Sequence, residues 1–266
     1  MNAVWGKVLA ACALLGMPSI SLAATITFNT SDSPFTPGIP NQGYWSATQA
    51  NSNQNMSYFV GRIAERSIGG QVVVEEDVTR DFFTFNLAGL VPGSVLSAQL
   101  EVTRLQYNSP NPSETLGLWG VTTSAAVLNN NSSANGSIFD DLGAGTSYGT
   151  FVVPQWGDTD AQQSVRQIFV LNTNAVNAIN AAAGGFFSIG GALQGIDFGS
   201  DEDQGLFGFH GFFEDFERLG GTNQILRLEV ESPTTVPEPS TMLLVAVGLT
   251  ALFSLQRRQL LGKPNS

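Results

Sequence analysis

The side chains that could do chemistry are few, and their types set narrow limits. His210 is the only histidine and Cys12 the only cysteine in 266 residues. Cys12 falls in an apolar N-terminal run, so the body of the chain has no thiol nucleophile, and a single histidine gives little basis for a Ser-His-Asp or Cys-His relay. Within Gly208-Phe209-His210-Gly211-Phe212-Phe213, His210 stands among aromatics on a strand candidate, where a core histidine is the expected role. No Gly-rich loop opens a helix after a strand, so nucleotide binding is not indicated. Acidic residues cluster instead: Asp197 with Asp201-Glu202-Asp203, Asp158-Thr159-Asp160, and Glu214-Asp215 with Glu217. Oxygen ligands on loops suit calcium, which makes Asp158, Asp160, Asp201 and Asp203 candidate ligands. Their spacing is neither that of an EF-hand nor of an RTX repeat, and solvated acidic loops explain them more simply. Two carboxylates could also run a glycosidase, but so acidic a chain always offers some pair. Tyr44 and Trp45, in a Gly/Asn/Gln-rich stretch, are the better candidates for an exposed platform that stacks on sugar rings. Trp119 and Trp156 are weaker ones, because Trp119 alternates with Leu118 and Leu116 in a strand. The expectation is a protein with no catalytic residues and no obligatory cofactor.

The elements that must carry these residues are strands. Leu96, Ala98, Leu100 and Val102 alternate with Ser97, Gln99, Glu101 and Thr103, the period-two pattern of a half-buried strand. Phe83, Phe85 and Leu87 alternate with Phe82, Thr84 and Asn86, and Leu226, Leu228 and Val230 with Ile225, Arg227 and Glu229. Further strand candidates are residues 25–29, 71–75, 115–121, 147–153, 165–171, 186–190 and 206–209. About ten strands separated by Gly, Asn, Ser and Pro predict an all-β sandwich. One short helix is expected over residues 174–183, capped by Thr173 and stopped by Gly184-Gly185. Residues 31–57 and 129–133 read as long loops.

Charge excludes one class of partner. Of 22 acidic residues only Glu238 lies outside residues 24–235, and four of the 11 basic ones (Lys7, Arg257, Arg258, Lys263) do. The middle therefore holds 21 acids against seven arginines, a net charge of −14. Such a domain repels phosphate backbones, so nucleic acid is not a partner. Acidity by itself signals solubility rather than a specific ligand. A cysteine-free body has no disulfide framework and no cysteine-rich zinc site.

The two ends differ from the middle. Residues 1–23 have the three parts of a secretory signal peptide: Lys7, an apolar run over residues 8–17, and Ser21-Leu22-Ala23 before the cut. Cleavage is expected after Ala23, with Ala24 the next position. Leu9-Ala10-Ala11-Cys12 resembles a lipoprotein box, but the apolar run ahead of it is too short and continues past it. At the other end Val236-Pro237-Glu238-Pro239-Ser240 precedes an apolar stretch, residues 241–255, and Gln256-Arg257-Arg258. Proline holds the strap extended, the apolar stretch reads as a marginal transmembrane helix, and Arg257 and Arg258 keep its end cytoplasmic.

That order of features resembles the PEP-CTERM sorting signal of Gram-negative bacteria that make exopolysaccharide. The resemblance covers residues 236–266. It implies export, an inner-membrane intermediate with residues 24–235 on the periplasmic side, and processing by exosortase, a membrane-embedded transpeptidase-like enzyme. The partners it implies are the export machinery, signal peptidase, exosortase and exopolysaccharide, and the destination is the cell surface or biofilm matrix. A second resemblance is fainter. Phe83-Thr84-Phe85-Asn86-Leu87, then Leu90-Val91-Pro92-Gly93 and residues 95–100, is similar to a strand-turn-strand unit of DNRLRE-type jelly-roll modules. It implies a jelly-roll-like sandwich related to carbohydrate-binding modules. The expected function is a structural or adhesive surface protein, with a glycan-binding module or a polysaccharide-degrading enzyme as alternatives.

Overall fold

The computed structural model describes residues 23–31, 35, 39–48, 55, 57–130, 134–157, 165–208, 223–232 and 249. Among these are fourteen strands: β1 (Ala23–Asn29), β2 (Gln42–Ser46), β3 (Phe59–Ile63), β4 (Arg66–Ile68), β5 (Gln71–Val74), β6 (Asp77–Asn86), β7 (Val95–Thr103), β8 (Gln106–Asn108), β9 (Ser113–Gly120), β10 (Ser147–Pro154), β11 (Arg166–Val170), β12 (Phe186–Gln194), β13 (Gln204–Phe207) and β14 (Ile225–Glu231). Three helices accompany them: α1 (Ala125–Leu128), α2 (Gly136–Leu142) and α3 (Thr173–Ala181).

Alternation explains the layers. Leu100, Val102, Leu226 and Leu228 point inward from a four-stranded antiparallel sheet ordered β1-β14-β7-β11. They meet Phe83, Phe85, Leu116, Leu118 and Ile189 from a larger sheet ordered β10-β9-β12-β6-β3-β13-β8, with β2 also paired to β6. Each such fully buried side chain stabilises the fold by about 1.5–3 kcal/mol. The result is an all-β sandwich, with β4 and β5 as a separate hairpin.

The larger sheet is also covered on its outer face. Trp45 and Phe82 pack there against Leu128 of α1 and Ile138 and Leu142 of α2, and Trp45 Nε1–H donates to the Leu128 carbonyl at 3.1 Å. Every residue of β2 is therefore buried. Burial on both faces erases the alternation that marks a strand, which is why residues 42–46 read as loop. The expected single helix also needs correction: α1 and α2 are too short to show a period in the sequence. The third starts one residue earlier than expected, because the Asn172 side chain, not Thr173, accepts from Asn174 N and Ala175 N.

The compact unit runs from Ala23 to Glu231. Its first and last strands are partners, Ala23 opposite Glu231 and Asn29 opposite Ile225. β14 then pairs on its other side with β7, so the final strand is an interior strand of the smaller sheet. Cleavage at the expected position after Ala23 would remove only the terminal rung of this ladder.

One buried charge stands out. Asp81 is fully buried on the same face of β6 as Phe83 and Phe85, and among the described residues no other residue hydrogen-bonds to either of its oxygens. Only a glycine fits opposite: a side chain at Gly191 would overlap the Asp81 carboxylate. Burial pushes the carboxyl well above the usual range, its own backbone N–H opposing this only in part.

Three outcomes follow. Residues 24–235 expressed alone should give a far-UV circular dichroism spectrum dominated by strand, and a predominantly helical one would contradict the fold. Trp45→Ala should cost about 3–5 kcal/mol in denaturant melts, whereas an exposed tryptophan would cost almost nothing. Folding raises the Asp81 pKa above its unfolded value of about 3.9. Its contribution to stability is complete below that value and is lost as pH rises through the folded-state pKa. Asp81→Asn should remove this slope from melts taken across the acidic range; an unaltered slope would place its source elsewhere.

Candidate functional site

The β6–β12 ladder ends at the pair Gly191–Asp81. Beyond it β12 continues beside β9 as far as Gln194, and β6 runs beside β3 back to Asp77. Where the two strands part, an open groove of about 740 Å³ lies on the larger sheet. Val78, Thr79 and Arg80 of β6 line one side and Ala192 and Leu193 of β12 another, with Thr48, Phe139 of α2, and Ile196 and Phe198 of the following loop at its rim.

Phe139 and Phe198 at the rim are held in place by specific interactions. Asn135 caps α2 by accepting from Ser137 N and Ile138 N. Asp141, near the end of α2, accepts from the backbone and hydroxyl groups of both Thr122 and Thr123 at 2.6–3.3 Å. Burial opposes ionisation of Asp141, but these donors outweigh it and lower its pKa. So anchored, α2 sets the Phe139 ring over the Arg80 guanidinium, 4.1 Å from its centroid. Arg80 Nη1–H donates to the carbonyls of Phe139 (2.9 Å) and Asp140 (3.2 Å), and the Asp140 carboxylate, mostly in solvent, is 3.8 Å away. Half-burial lowers the Arg80 pKa, with the Asp140 charge opposing the shift. Neither Nε nor Nη2 of Arg80 meets an acceptor among the described residues.

Arg62 organises the other rim. Its guanidinium is buried and donates to the carbonyls of Asp197 (3.1 Å), Ser200 (2.9 Å) and Glu202 (3.4 Å), while Nε meets Glu76 at 2.7 Å. This fixes the loop that carries Phe198, whose ring is 63 % exposed and lies 5.7 Å from Arg62. The arrangement offers aromatic and aliphatic surface, one guanidinium with two unused donors, and a balance of two cations against Glu76 and Asp140. Such a surface can hold a ligand against apolar faces while donating hydrogen bonds to it.

The residues singled out from the sequence fall elsewhere. Tyr44 and Trp45 are not a loop platform: both lie on β2 and are buried, Tyr44 against Phe59 and Ile63 and Trp45 beneath the helices. Trp156 is also buried, stacked on Phe207 and edge-on to Tyr107. Trp119 is half-buried, its indole nitrogen enclosed without a hydrogen-bond partner among the described residues, and lies across Gly117, where any larger residue would displace it. Of the four candidate calcium ligands, Asp158 and Asp160 lie outside the described residues. Asp201 is exposed, while Asp203 is buried and accepts from Ala64 N (2.9 Å), Asn108 Nδ2 (2.8 Å) and Arg66. Its oxygens serve the fold, and among the described residues no group of three or more acidic, histidine or cysteine side chains could hold a metal. Asp197 is likewise used locally, its Oδ1 accepting from Gly199 N at 2.8 Å. The sequence reading missed Arg80, Phe139 and Phe198. A single arginine in a strand otherwise lined with acidic and aromatic residues was the one available signal.

His210, residues 1–22, the motif Val236-Pro237-Glu238-Pro239-Ser240 and the pair Arg257-Arg258 lie outside the described residues. So does the apolar stretch 241–255 apart from Leu249, and among the described residues no helix is long and apolar enough to cross a membrane. The tail is identified by comparison instead. The model of the PEP-CTERM protein-sorting motif matches residues 235–258. No curated protein matches the chain. The match begins just past the last described strand and takes in the Pro-Glu-Pro strap, the apolar stretch and the basic pair, so the chain carries a PEP-CTERM sorting motif, which implies export and exosortase as the processing partner.

Proposed function

We propose that the protein is a structural or adhesive component of the cell surface or exopolysaccharide matrix, without catalytic activity of its own. The sorting motif at residues 235–258 carries this reading, because it directs the preceding β unit to the outside of the cell. The signal peptide would engage the export machinery and be removed after Ala23. The apolar tail would then hold the chain in the inner membrane, with the jelly-roll-like domain on the periplasmic side, until exosortase cuts near the strap. Arg257 and Arg258 would keep the tail's end in the cytoplasm. No cofactor is assigned.

A defined glycan-binding site is the second reading, and the groove beside Arg80 favours it. A polysaccharide-degrading activity fits less well. Hydrolysis of a glycosidic bond uses two carboxyl groups about 5–9.5 Å apart, and Glu76, the acidic residue lining the groove, is tied to Arg62.

The strap supplies the test. Proline disfavours a helix, in which the scissile bond would be shielded by the helix's own hydrogen bonds, so Pro237 and Pro239 are the residues to change. Replacing both, Pro237→Ala with Pro239→Ala, should leave the full-length chain in the inner-membrane fraction while the wild type is released. Equal release of both proteins would remove the strap from the mechanism.

A further inference from the structure

We infer that the groove between the parted ends of β6 and β12 binds a segment of a neutral polysaccharide. This extends the adhesive reading above by giving it a ligand and a place. Three observations on the groove converge. Its volume, about 740 Å³, exceeds a single sugar ring, and it is open, so it suits part of a longer chain rather than an enclosed metabolite. Its rim presents flat apolar faces, above all the Phe198 ring, 63 % exposed on a loop that Arg62 fixes in place. The C–H faces of pyranose rings stack on such surfaces. Finally, Arg80 is held between the Phe139 ring and Gly143, where even a methyl group would displace it. Its Nε and Nη2 donors have no protein acceptor among the described residues, and their planar fork matches a pair of adjacent hydroxyl oxygens.

Charge selects neutral over acidic chains. Arg80 and Arg62 are balanced by Asp140 and Glu76, and residues 24–235 carry a net charge of −14. A polyanion would be repelled at long range without a basic stripe to hold it. A peptide strand is disfavoured by length. Residues 78–80 are already paired with β2 and β3, and residues 192–194, paired with β9 on one side, give only three residues before Gly195, at φ 78°, turns the chain, against about five or six for an ordinary strand.

The test is calorimetric titration of the purified full-length protein with hexameric gluco- and manno-oligosaccharides and, separately, with polygalacturonate. Saturable binding to a neutral oligosaccharide is expected, unchanged between low salt and about 0.15 M. Phe198→Ala and Arg80→Gln should each weaken it about tenfold, whereas Ile168→Ala, exposed on the smaller sheet, should not. Phe198→Ala guards against misfolding, since it removes an exposed ring, and its melting temperature should equal the wild type's. Absence of binding to every neutral oligosaccharide, binding to polygalacturonate alone, or affinity untouched by Phe198→Ala would each overturn the inference. Release of the protein from the membrane is scored in the same strains. Normal release without glycan binding would remove the groove ligand and leave the sorting reading standing, and the reverse result would do the opposite.

Discussion

The pairing of the last strand with the first governs the rest of the fold. β14 lies between β1 and β7, with seven registered pairs to β1 alone. Without β14, β1 has no strand partner among the described residues, and Leu100 and Val102 of β7 lose the Leu226–Leu228 flank that covers them. The smaller sheet cannot be completed until residue 231 has been made and exported. This non-local closure is also where loop entropy is largest, since it joins residues some two hundred positions apart. It places the two ends of the compact unit side by side, Ala23 opposite Glu231. A cut after Ala23 would take one residue of β1, and a cut past Glu231 would take none of β14.

A second constraint acts on the larger sheet, which is buried on two faces. The inner face meets the smaller sheet and part of the outer face meets α1 and α2. Close approach there is possible because small residues stand where the helices cross, as at Gly190, whose neighbour is the Leu142 backbone. The helices cover only part of that face. Where β6 and β12 separate beyond Asp81 and Gly191 the cover ends, and the groove with Arg80 and Phe198 is what remains. The site is thus a by-product of how the core is closed: the anchoring of α2 through Asp141 fixes Phe139, and the burial of Arg62 fixes Phe198.

What could be read in the sequence follows from the same physics. Strands with one face in solvent, such as β7 and β14, announce themselves by alternation, and nearly all of those were legible. β2 was not, because double burial makes Gln42 to Ser46 uniformly interior, and the Gly/Asn/Gln composition around it imitates a loop. The misreading of Tyr44 and Trp45 as an exposed platform came from the same source. The acidic cluster at residues 197–203 looked like ligand chemistry, but its carbonyls and carboxylates converge on Arg62, Arg66 and Asn108 across 95 to 140 positions of sequence. No local pattern shows such a pairing. The tail was the reverse case: its signal rests on the order of a strap, an apolar stretch and a basic pair, all of it local, and the sorting motif was legible there.

The central claim is that a self-contained β unit lies between two removable addresses. Intact-mass spectrometry of the protein recovered from the cell surface tests this directly. The account predicts one species beginning at or beside Ala24 and ending after Glu231, close to residues 236–240. A species that retained residues 243–257, or one cut inside residues 24–231, would contradict it.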